Sequence, residues 1–327
     1  MKAIITLLSI LLVSGCVVQI NAADYGEWTE SQQTLSIDAQ SFKELEIEAG
    51  SGVLNIIGDT NTKQIRVEAT VGNYAELTSD FELTLEAKGS KKAKLTSKFD
   101  RGLRFFSGKA PYIDLTVFVP ADIALKVNDG SGHITIKNIH DNLVIDDGSG
   151  DIALHKVVGN ISIDDGSGSI TMEDITGNST INDGSGSIAM EHITGNSSIN
   201  DGSGNITLFK LNGSLLLKDG SGHIDAKDIV GSVNIDDDSG NLTLKNILGN
   251  TQIEDGSGDS DIFDVRGNLN IKDNSGNIYI KGVSGAVTID DGSGGISVND
   301  AGSLTITESG SGSLKIKDIH GPVKVDD

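Results

Sequence analysis

The chain has 327 residues, with 25 basic and 47 acidic side chains, a formal net charge of −22 and 4% aromatic residues. A charge this negative argues against binding to nucleic acid and against docking on anionic lipid headgroups. Tryptophan and methionine are scarce, and nothing in the composition indicates a cofactor pocket. The composition instead suits a soluble, exported protein, and we predict no cofactor and no nucleic-acid partner.

The first segment is typical of an export signal. A short basic start precedes a mostly apolar run from Ile4 to Val13, which is too short to span a membrane as a helix. The run ends in Val13-Ser14-Gly15-Cys16, which resembles the bacterial lipobox. That resemblance implies a lipoprotein signal peptide over residues 1–15 and lipidation of Cys16. The alternative is an ordinary signal peptide that is cleaved near Ala22.

Cys16 is the only cysteine, and a lone cysteine in an exported protein needs a reason, which lipidation supplies. Val17 rather than aspartate follows it, and in bacteria with two membranes that resemblance implies the outer membrane. We therefore expect a fatty-acyl (palmitate) anchor in the membrane and an outer-membrane lipoprotein of the cell envelope. Residues 16–34 are largely polar and unpatterned, which predicts a tether.

Residues 35–127 are predicted to form degenerate coils and a cap with insertions. Leu45 to Gly52 combines a strand with a Gly-Ser-Gly corner that is out of register with the later repeats. Further strands are predicted around residues 65–69, 81–85, 94–98 and 113–120. The segment from Arg101 to Lys109 is basic and aromatic. It is interpreted as a contact loop or, alternatively, as a plug in which Phe105 and Phe106 close the end of the fold.

Residues 128–327 contain eleven Ser-Gly corners that follow a strict 18-residue period. Between corners, as in Ser149 to Gly166, two short segments alternate apolar and polar residues, which is strand spacing. A unit this small cannot bury its own apolar face, so neighbouring units must stack. The sequence therefore predicts an all-β, single-stranded parallel β-helix (β-solenoid) built from 18-residue coils. The corner serines are Ser131, Ser149, Ser167, Ser185, Ser203, Ser221, Ser239, Ser257, Ser275, Ser293 and Ser311.

Stacking predicts columns of equivalent residues. The third residue after each corner serine is aliphatic in ten repeats and Ser260 in the other, and the fourteenth is aliphatic except for Thr307. The two residues before the serine are Asp-Gly in most repeats. We predict that the aspartate side chain caps the turn. Because Asp238 and Asn274 replace the glycine in two repeats, we also predict a left-handed backbone at that position.

These residues are similar to the bacterial "putative adhesin" β-helix family. The resemblance rests on Leu45-Glu46-Ile47 before Gly50-Ser51-Gly52, on Val117-Phe118-Val119-Pro120, and on the repeated Asp-Gly-Ser-Gly-x-Ile-x-Ile. It covers roughly residues 40–327. It implies a right-handed solenoid that is exported or membrane-attached, and it supplies no catalytic residues to carry over.

Two other functions were weighed against the repeat. A calcium-binding β-roll would need aspartate two residues after the second glycine, where isoleucine or leucine stands here. A carbohydrate-active β-helix enzyme would need a localised set of unlike residues, whereas these aspartates repeat evenly and the six histidines lie at scattered repeat positions. We therefore predict no catalytic residue and no metal ligand, and both functions are kept as alternatives.

The sequence thus predicts a non-catalytic, adhesin-like binding or structural protein whose protein or glycan ligand is open. The final coil keeps its apolar row but carries Lys315, Lys317, Pro322 and Lys324. Lysine and proline discourage edge-to-edge pairing of strands. We therefore expect the protein to be mainly a monomer.

Overall fold

The computed structural model describes residues 27–74, 81–99 and 109–326, and every regular element in those ranges is a strand. Each coil of the repeat contributes two strands that pair in parallel with the equivalent strands one coil away. Ile152 is the register partner of Ile170, and Ile145 that of Ile163, so each coil is one 18-residue repeat. The predicted all-β parallel solenoid is confirmed.

The coils stack into two sheets. We call the sheet formed by the first strand of each coil sheet 1 and the sheet formed by the second strand sheet 2. Sheet 1 contains β9 (Ile134–Ile139), β11 (Ile152–Val158), β13 (Ile170–Thr176), β15 (Ile188–Thr194), β17 (Ile206–Asn212), β19 (Ile224–Val230), β21 (Leu242–Ile247), β23 (Ser260–Val265) and β27 (Leu314–Ile319). Sheet 2 contains β8 (Ala124–Ser131), β10 (Leu143–Asp147), β12 (Ile161–Asp165), β14 (Ser179–Asp183), β16 (Ser197–Asp201), β18 (Leu215–Asp219), β20 (Val233–Asp237), β22 (Thr251–Asp255), β24 (Leu269–Asp273) and β28 (Val323–Val325). The long strands β25 (Ile278–Asp291) and β26 (Ile296–Ser309) contribute to both.

The first seven strands extend both sheets in an order that differs from chain order. They are β1 (Trp28–Asp38), β2 (Glu44–Ser51), β3 (Leu54–Asp59), β4 (Gln64–Tyr74), β5 (Phe81–Ala87), β6 (Lys92–Phe99) and β7 (Tyr112–Pro120). The coil of β2 and β3 lies between the coil of β6 and β7 and the coil of β8 and β9. The antiparallel strands β4 and β1 continue sheet 1 beyond β7, and β5 continues sheet 2 beyond β6.

This order explains the corner that was out of register in the sequence. Ser51 pairs with Ser131, and the Gly50-Ser51-Gly52 corner stacks directly on the first corner of the repeats. Most of the residues between these two corners form β4 to β7, on the other side of the coil of β2 and β3, so sequence spacing misses a neighbour that the fold brings together.

The core is the space between the two sheets, and it is filled by the predicted columns. Aliphatic residues third after the corner serine are buried from Ile134 to Ile296. Thr307 does not join its column. A register irregularity in β26 places Ile306 opposite Ile289 and leaves Thr307 facing solvent, so the core row stays aliphatic. The expectation that Thr307 occupies the core column is wrong.

The left-handed corner position predicted before each serine is wrong for all but the last coil. Neither Asp238 nor Asn274 has a positive φ, whereas the glycine after each of the first ten serines does, as Gly168 shows with a φ of 148°. In the last coil the order is reversed, and Gly310 has a φ of 58°. A Cβ on Gly168 would lie 1.6 Å from the carbonyl oxygen of Gly150 in the coil before it. Glycine is therefore required there both by backbone angle and by close stacking.

A second left-handed column lies seven residues after the corner serine, inside the sheet 1 strand of each coil. Ten non-glycine residues adopt φ values of 54–63° there, and Gly282 occupies the position in an eleventh coil. Seven of the ten are asparagine or aspartate, the types that tolerate this region best. The ten residues are Asn138, Lys156, Asp174, His192, Lys210, Asp228, Asn246, Asp264, Asp300 and Asp318.

The last coil covers the coil before it, but none of the described residues covers the last coil in turn. Leu314, Ile316, Val323 and Val325 are 37–49% exposed, although their equivalents in the inner coils are buried. Burial in this fold therefore comes from the next coil rather than from the residue's own coil.

Candidate functional site

The predicted lipid anchor, Cys16, lies outside the described residues, as do the signal peptide and the first part of the tether. Of the basic, aromatic segment, only Lys109 is described, and its Nζ lies 5.2 Å from the centroid of the Trp28 ring. No helix that is long and apolar enough to cross a membrane occurs in the part of the chain that the structure describes.

The corner aspartates form a buried ladder along one side of sheet 2. In seven coils the backbone N–H of the corner serine donates to Oδ1 of the aspartate two residues before it, at 2.9–3.2 Å. This is the predicted turn cap. The ladder consists of Asp129, Asp147, Asp165, Asp183, Asp201, Asp219, Asp237, Asp255, Asp273 and Asp291.

The other carboxylate oxygen of most ladder residues is shielded from water and has no hydrogen-bond partner among the described residues. One coil shows which way it points. Ser260 replaces the aliphatic residue of the core column, and its hydroxyl donates to Oδ2 of Asp255 at 3.0 Å. In the other coils an isoleucine or leucine stands at that position, so we infer that the second oxygen faces hydrocarbon.

This environment favours the neutral acid. Burial raises the pKa of every ladder aspartate, and the charge of neighbouring ladder residues raises several further. The pKa reaches about 7 for Asp147, Asp237 and Asp273 and about 6 for Asp129 and Asp183. A ladder of buried acids with raised pKa values suits a structural role better than a calcium-binding one, since calcium needs ionised and accessible oxygens.

The outward side chains of sheet 1, in contrast, change from coil to coil. The column through the sixth residue after each corner serine joins register partners on successive parallel strands. Its members are Lys137, His155, Glu173, Glu191, Phe209, Lys227, Lys245, Phe263, Lys281, Asn299 and Lys317. Coils of the same shape therefore present a mixed first part, which contains the two glutamates, and then a part that is mainly lysine and phenylalanine.

The second part of this column belongs to a surface that we call the basic–aromatic stripe: Phe209, Lys210, Lys227, Lys245, Phe263, Tyr279 and Lys281. Lys210 Nζ lies 4.5 Å, and Lys227 Nζ 5.6 Å, from the centroid of the Phe209 ring. The rings of Phe263 and Tyr279 are 5.6 Å apart. Cations over aromatic faces of this kind are held in place while staying open to solvent.

Three lysines of the stripe have no acidic partner in the part of the chain that the structure describes. Lys227, Lys245 and Lys281 form no ion pair there, although Asp225 and Asp261 face outward in the adjacent column. These ammonium groups are exposed and lie on successive or nearly successive coils, about 4.8 Å apart per coil. On a protein of net charge −22, these exposed ammonium groups outside any ion pair of the described residues are cations open to an anionic ligand.

The first part of the column brings together residues that the sequence had left scattered. His155 Nδ1 lies 3.1 Å from Glu173 Oε2 in the next coil, and His192 Nδ1 lies 3.5 Å from Asp174 Oδ1. His133 pairs with Asp151, at 3.4 Å. His155 and His192 each contact an acid of the coil that lies between them, Glu173 and Asp174 respectively, because the sixth and seventh repeat positions of successive coils are neighbours on sheet 1.

The basic–aromatic stripe was not predicted, and neither was the group of His155, Glu173, Asp174 and His192, which we call the histidine cluster. The signal was present, since writing residues 131–327 in rows of 18 aligns Phe209, Lys227, Lys245, Phe263 and Lys281 in one column. Only the structure shows that this column faces solvent on one sheet.

A family model matches residues 42–247, and it describes the Toastrack DUF4097 family. The chain belongs to this Toastrack family. The resemblance to bacterial β-helix proteins of the adhesin type is thereby confirmed. No curated protein matches the chain.

Several solved structures are similar to this Toastrack protein over most of its length. A putative cell adhesion protein from Clostridium sporogenes is 12% identical, with 91% of this chain and 100% of that one covered and a TM-score of 0.28. A putative adhesin from Bacteroides fragilis is 13% identical, with 90% and 97% covered and a TM-score of 0.28. One from Parabacteroides distasonis is 15% identical, with 92% and 98% covered and a TM-score of 0.27. Values this low do not bear on function.

Proposed function

We propose that this Toastrack protein is an exported, monomeric envelope lipoprotein, anchored through Cys16, that binds an anionic polysaccharide along the basic–aromatic stripe and performs no catalysis. The observation that carries the proposal is the stripe itself, a row of lysines without ion pairs and exposed rings on an otherwise acidic rod.

The chemistry of the stripe suits a long, charged sugar chain. Phe209 and Phe263 are three coils apart, which is roughly 14 Å, with Lys227 and Lys245 between them. Aromatic faces stack on the C–H faces of sugar rings, and ammonium groups pair with carboxylate or sulfate groups. A straight column repeating at every coil matches an extended polymer better than a compact ligand.

The surroundings of the stripe favour binding over catalysis. The ladder aspartates are buried, and the exposed His155, Glu173, Asp174 and His192 side chains are 31–51% open to water. An acid–base pair for glycoside cleavage works in a site that excludes bulk water and orients the substrate. The carbohydrate-active enzyme therefore has less support than the binding protein.

Binding is tested with the full chain purified in detergent, using polygalacturonate as the anionic probe and dextran as the neutral one. We expect binding to polygalacturonate only, weakening as salt rises. Changing Lys227, Lys245 and Lys281 together to threonine should weaken binding at least about tenfold, since each lost contact is worth on the order of 0.5–1 kcal/mol.

The matched control changes Lys126, Lys218 and Lys272 to threonine, because these three lysines face outward from sheet 2 and their loss changes the net charge equally. Equal loss of binding in the control would show that net charge alone is responsible. Binding to anionic vesicles but not to polygalacturonate would replace the sugar by a lipid headgroup, and no binding to either would contradict the proposal.

The anchor is tested separately. Cys16→Ser should release the protein from the membrane fraction and abolish labelling by a palmitate analogue. Unchanged partitioning into the membrane fraction would contradict lipidation at this residue.

A further inference from the structure

The histidine cluster upstream of the stripe has the composition of a metal site. His155 on β11 and Glu173 and Asp174 on β13 each offer a ligand atom, and the three atoms lie within 4.8 Å of one another. Nδ1 of His155 is shielded from solvent and makes no hydrogen bond within the described residues, although Glu173 Oε2 is only 3.1 Å away. If this nitrogen carries a lone pair, two electron-rich acceptors, Nδ1 of His155 and Oε2 of Glu173, face each other with no hydrogen-bond donor between them. A cation placed between the two atoms would bind both.

We propose that His155, Glu173 and Asp174 bind one divalent transition-metal ion, of which Zn²⁺ is the best fit. Zinc takes imidazole nitrogen and carboxylate oxygen at about 2.0–2.2 Å in a tetrahedron. Two ligand atoms of such a tetrahedron are about 3.3 Å apart, close to the contact between His155 and Glu173. One nitrogen and two oxygens leave a fourth position for water or an exogenous ligand.

The fold places these ligands through two different devices. His155 and Glu173 are register partners on adjacent parallel strands and face outward from the same column. Asp174 belongs to the left-handed column, with a φ of 56°, so it follows Glu173 directly and still contributes to the same cluster. The ion would therefore join two consecutive coils.

His192 acts as a positioning residue for this site. Its Nδ1 lies 3.5 Å from Asp174 Oδ1, and Lys210 Nζ lies 3.1 Å from its Nε2. The ammonium group of Lys210 donates to Nε2, so the ring carries its proton on Nδ1, the nitrogen that faces and orients the carboxylate of Asp174. Groups that orient ligands in this way commonly alter metal affinity by about 10–100-fold.

A specific site differs from diffuse attraction of cations to an acidic rod. Diffuse binding follows net charge, is screened by salt and has no fixed stoichiometry. The proposed site requires one ion per chain, an imidazole ligand and survival at high salt. Ca²⁺ and Mg²⁺, which prefer oxygen ligands, should not compete effectively with an ion held by His155.

The test is calorimetric titration of the full chain, in detergent, with Zn²⁺. The titration is done in salt at roughly 0.5 M, where the Debye length is below about 5 Å and diffuse attraction of cations is screened. It is then repeated with excess Mg²⁺. We expect one zinc ion per chain. Co²⁺ bound to the wild type should show the visible absorption of a tetrahedral site, a readout that needs no variant.

Three variants assign the ligands. His155→Ala and Glu173→Gln should each weaken zinc binding at least about tenfold. Asp174→Asn should do the same while keeping a residue that tolerates the left-handed backbone. The matched control is His133→Ala, because His133 lies beside Asp151 at 3.4 Å with no third ligand in the described residues around it.

The proposal is overturned if wild type shows no stoichiometric zinc binding, if Mg²⁺ displaces the zinc, or if His133→Ala weakens binding as much as His155→Ala. An octahedral cobalt spectrum would also overturn it, because a carboxylate surface with water ligands would then explain the binding.

Discussion

The buried aspartate ladder and the outward column of sheet 1 follow the same 18-residue period, yet only the ladder is uniform. Ten ladder positions are aspartate, whereas the outward column contains lysine, histidine, glutamate, phenylalanine and asparagine. Residues at the corner meet the same neighbours in every coil, so stacking selects the same chemistry each time. Residues on the outer face are open to solvent and are not enclosed by the next coil, so the repeat is free to vary there.

The two corner glycines should respond differently to the same substitution, and this is the largest expected effect. Gly168→Asn should cost about 4 kcal/mol or more, since its Cβ would meet the Gly150 carbonyl at 1.6 Å and its φ is 148°. Gly166→Asn should cost less, about 1–2 kcal/mol: its Cβ would lie 2.5 Å from the Gly148 carbonyl oxygen, but Asn274 and Asp238 occupy that column without a positive φ, so the backbone there can shift to admit a side chain. Chemical denaturation of both variants checks this, and equal costs would contradict the assignment of the left-handed position.

The ladder should make the solenoid more stable in mild acid than at alkaline pH. The folded pKa of Asp147, Asp237 and Asp273 is about 7, above the unfolded value of about 3.9. The folded state therefore binds more protons, and stability falls as the pH rises from about 4 through 7. Between pH 5.5 and 8 each of these three aspartates should contribute a loss of about 2 kcal/mol, or about 6 kcal/mol together, which is roughly 15 °C in Tm, measured by thermal denaturation.

Replacing Asp147, Asp237 and Asp273 together by asparagine should flatten that dependence while keeping the Oδ1 acceptor that caps each turn. A wild type whose Tm rises between pH 5.5 and 8 would show that the ladder is ionised in the folded protein.

Replacing two buried serines by alanine should change the free energy of unfolding by different amounts, because only one of the two hydroxyls has a hydrogen-bond partner in the described chain. Ser260→Ala removes the donor to Asp255 and should cost about 1–2 kcal/mol, with the larger cost at pH 8, where the acid is more ionised. Ser197→Ala removes a buried hydroxyl that has no hydrogen-bond partner in the described chain, so it should be neutral or slightly stabilising. Denaturation at pH 5.5 and 8 compares them, and a loss of stability in Ser197→Ala as large as in Ser260→Ala would argue against this difference.

The outward column should have the smallest effect on stability. Lys245→Thr places a good strand former at an exposed position, so the free energy of unfolding should change by less than about 0.5 kcal/mol. The same denaturation measurement checks it. A larger loss would mean that the stripe is part of the scaffold rather than a surface for a ligand.

Much of the scaffold was predictable because the repeat is strict. The spacing from Ser131 to Ser311 gives the coil, the column of Ile152 and Ile170 gives the core, and Asp165 two residues before Ser167 gives the cap. The left-handed glycine was placed on the wrong side of the serine in all coils but the last. Asp238 and Asn274 show that the position before the serine admits a side chain, but they do not show that its φ is positive.

The amino-acid sequence is enough to specify the coil length, the core columns and the turn caps of the repeats. All coils have the same length, so they must stack in the same register to bury their aliphatic rows. Tertiary structure alone decided the order of the first coils, where β2 and β3 lie between strands that are distant in the chain. It also decided which columns meet solvent, and thereby brought His155, Glu173 and Asp174 together and aligned Phe209 with Lys227. The physical reason is that side chains one repeat apart become neighbours only once parallel strands pair, at a spacing set by backbone hydrogen bonds.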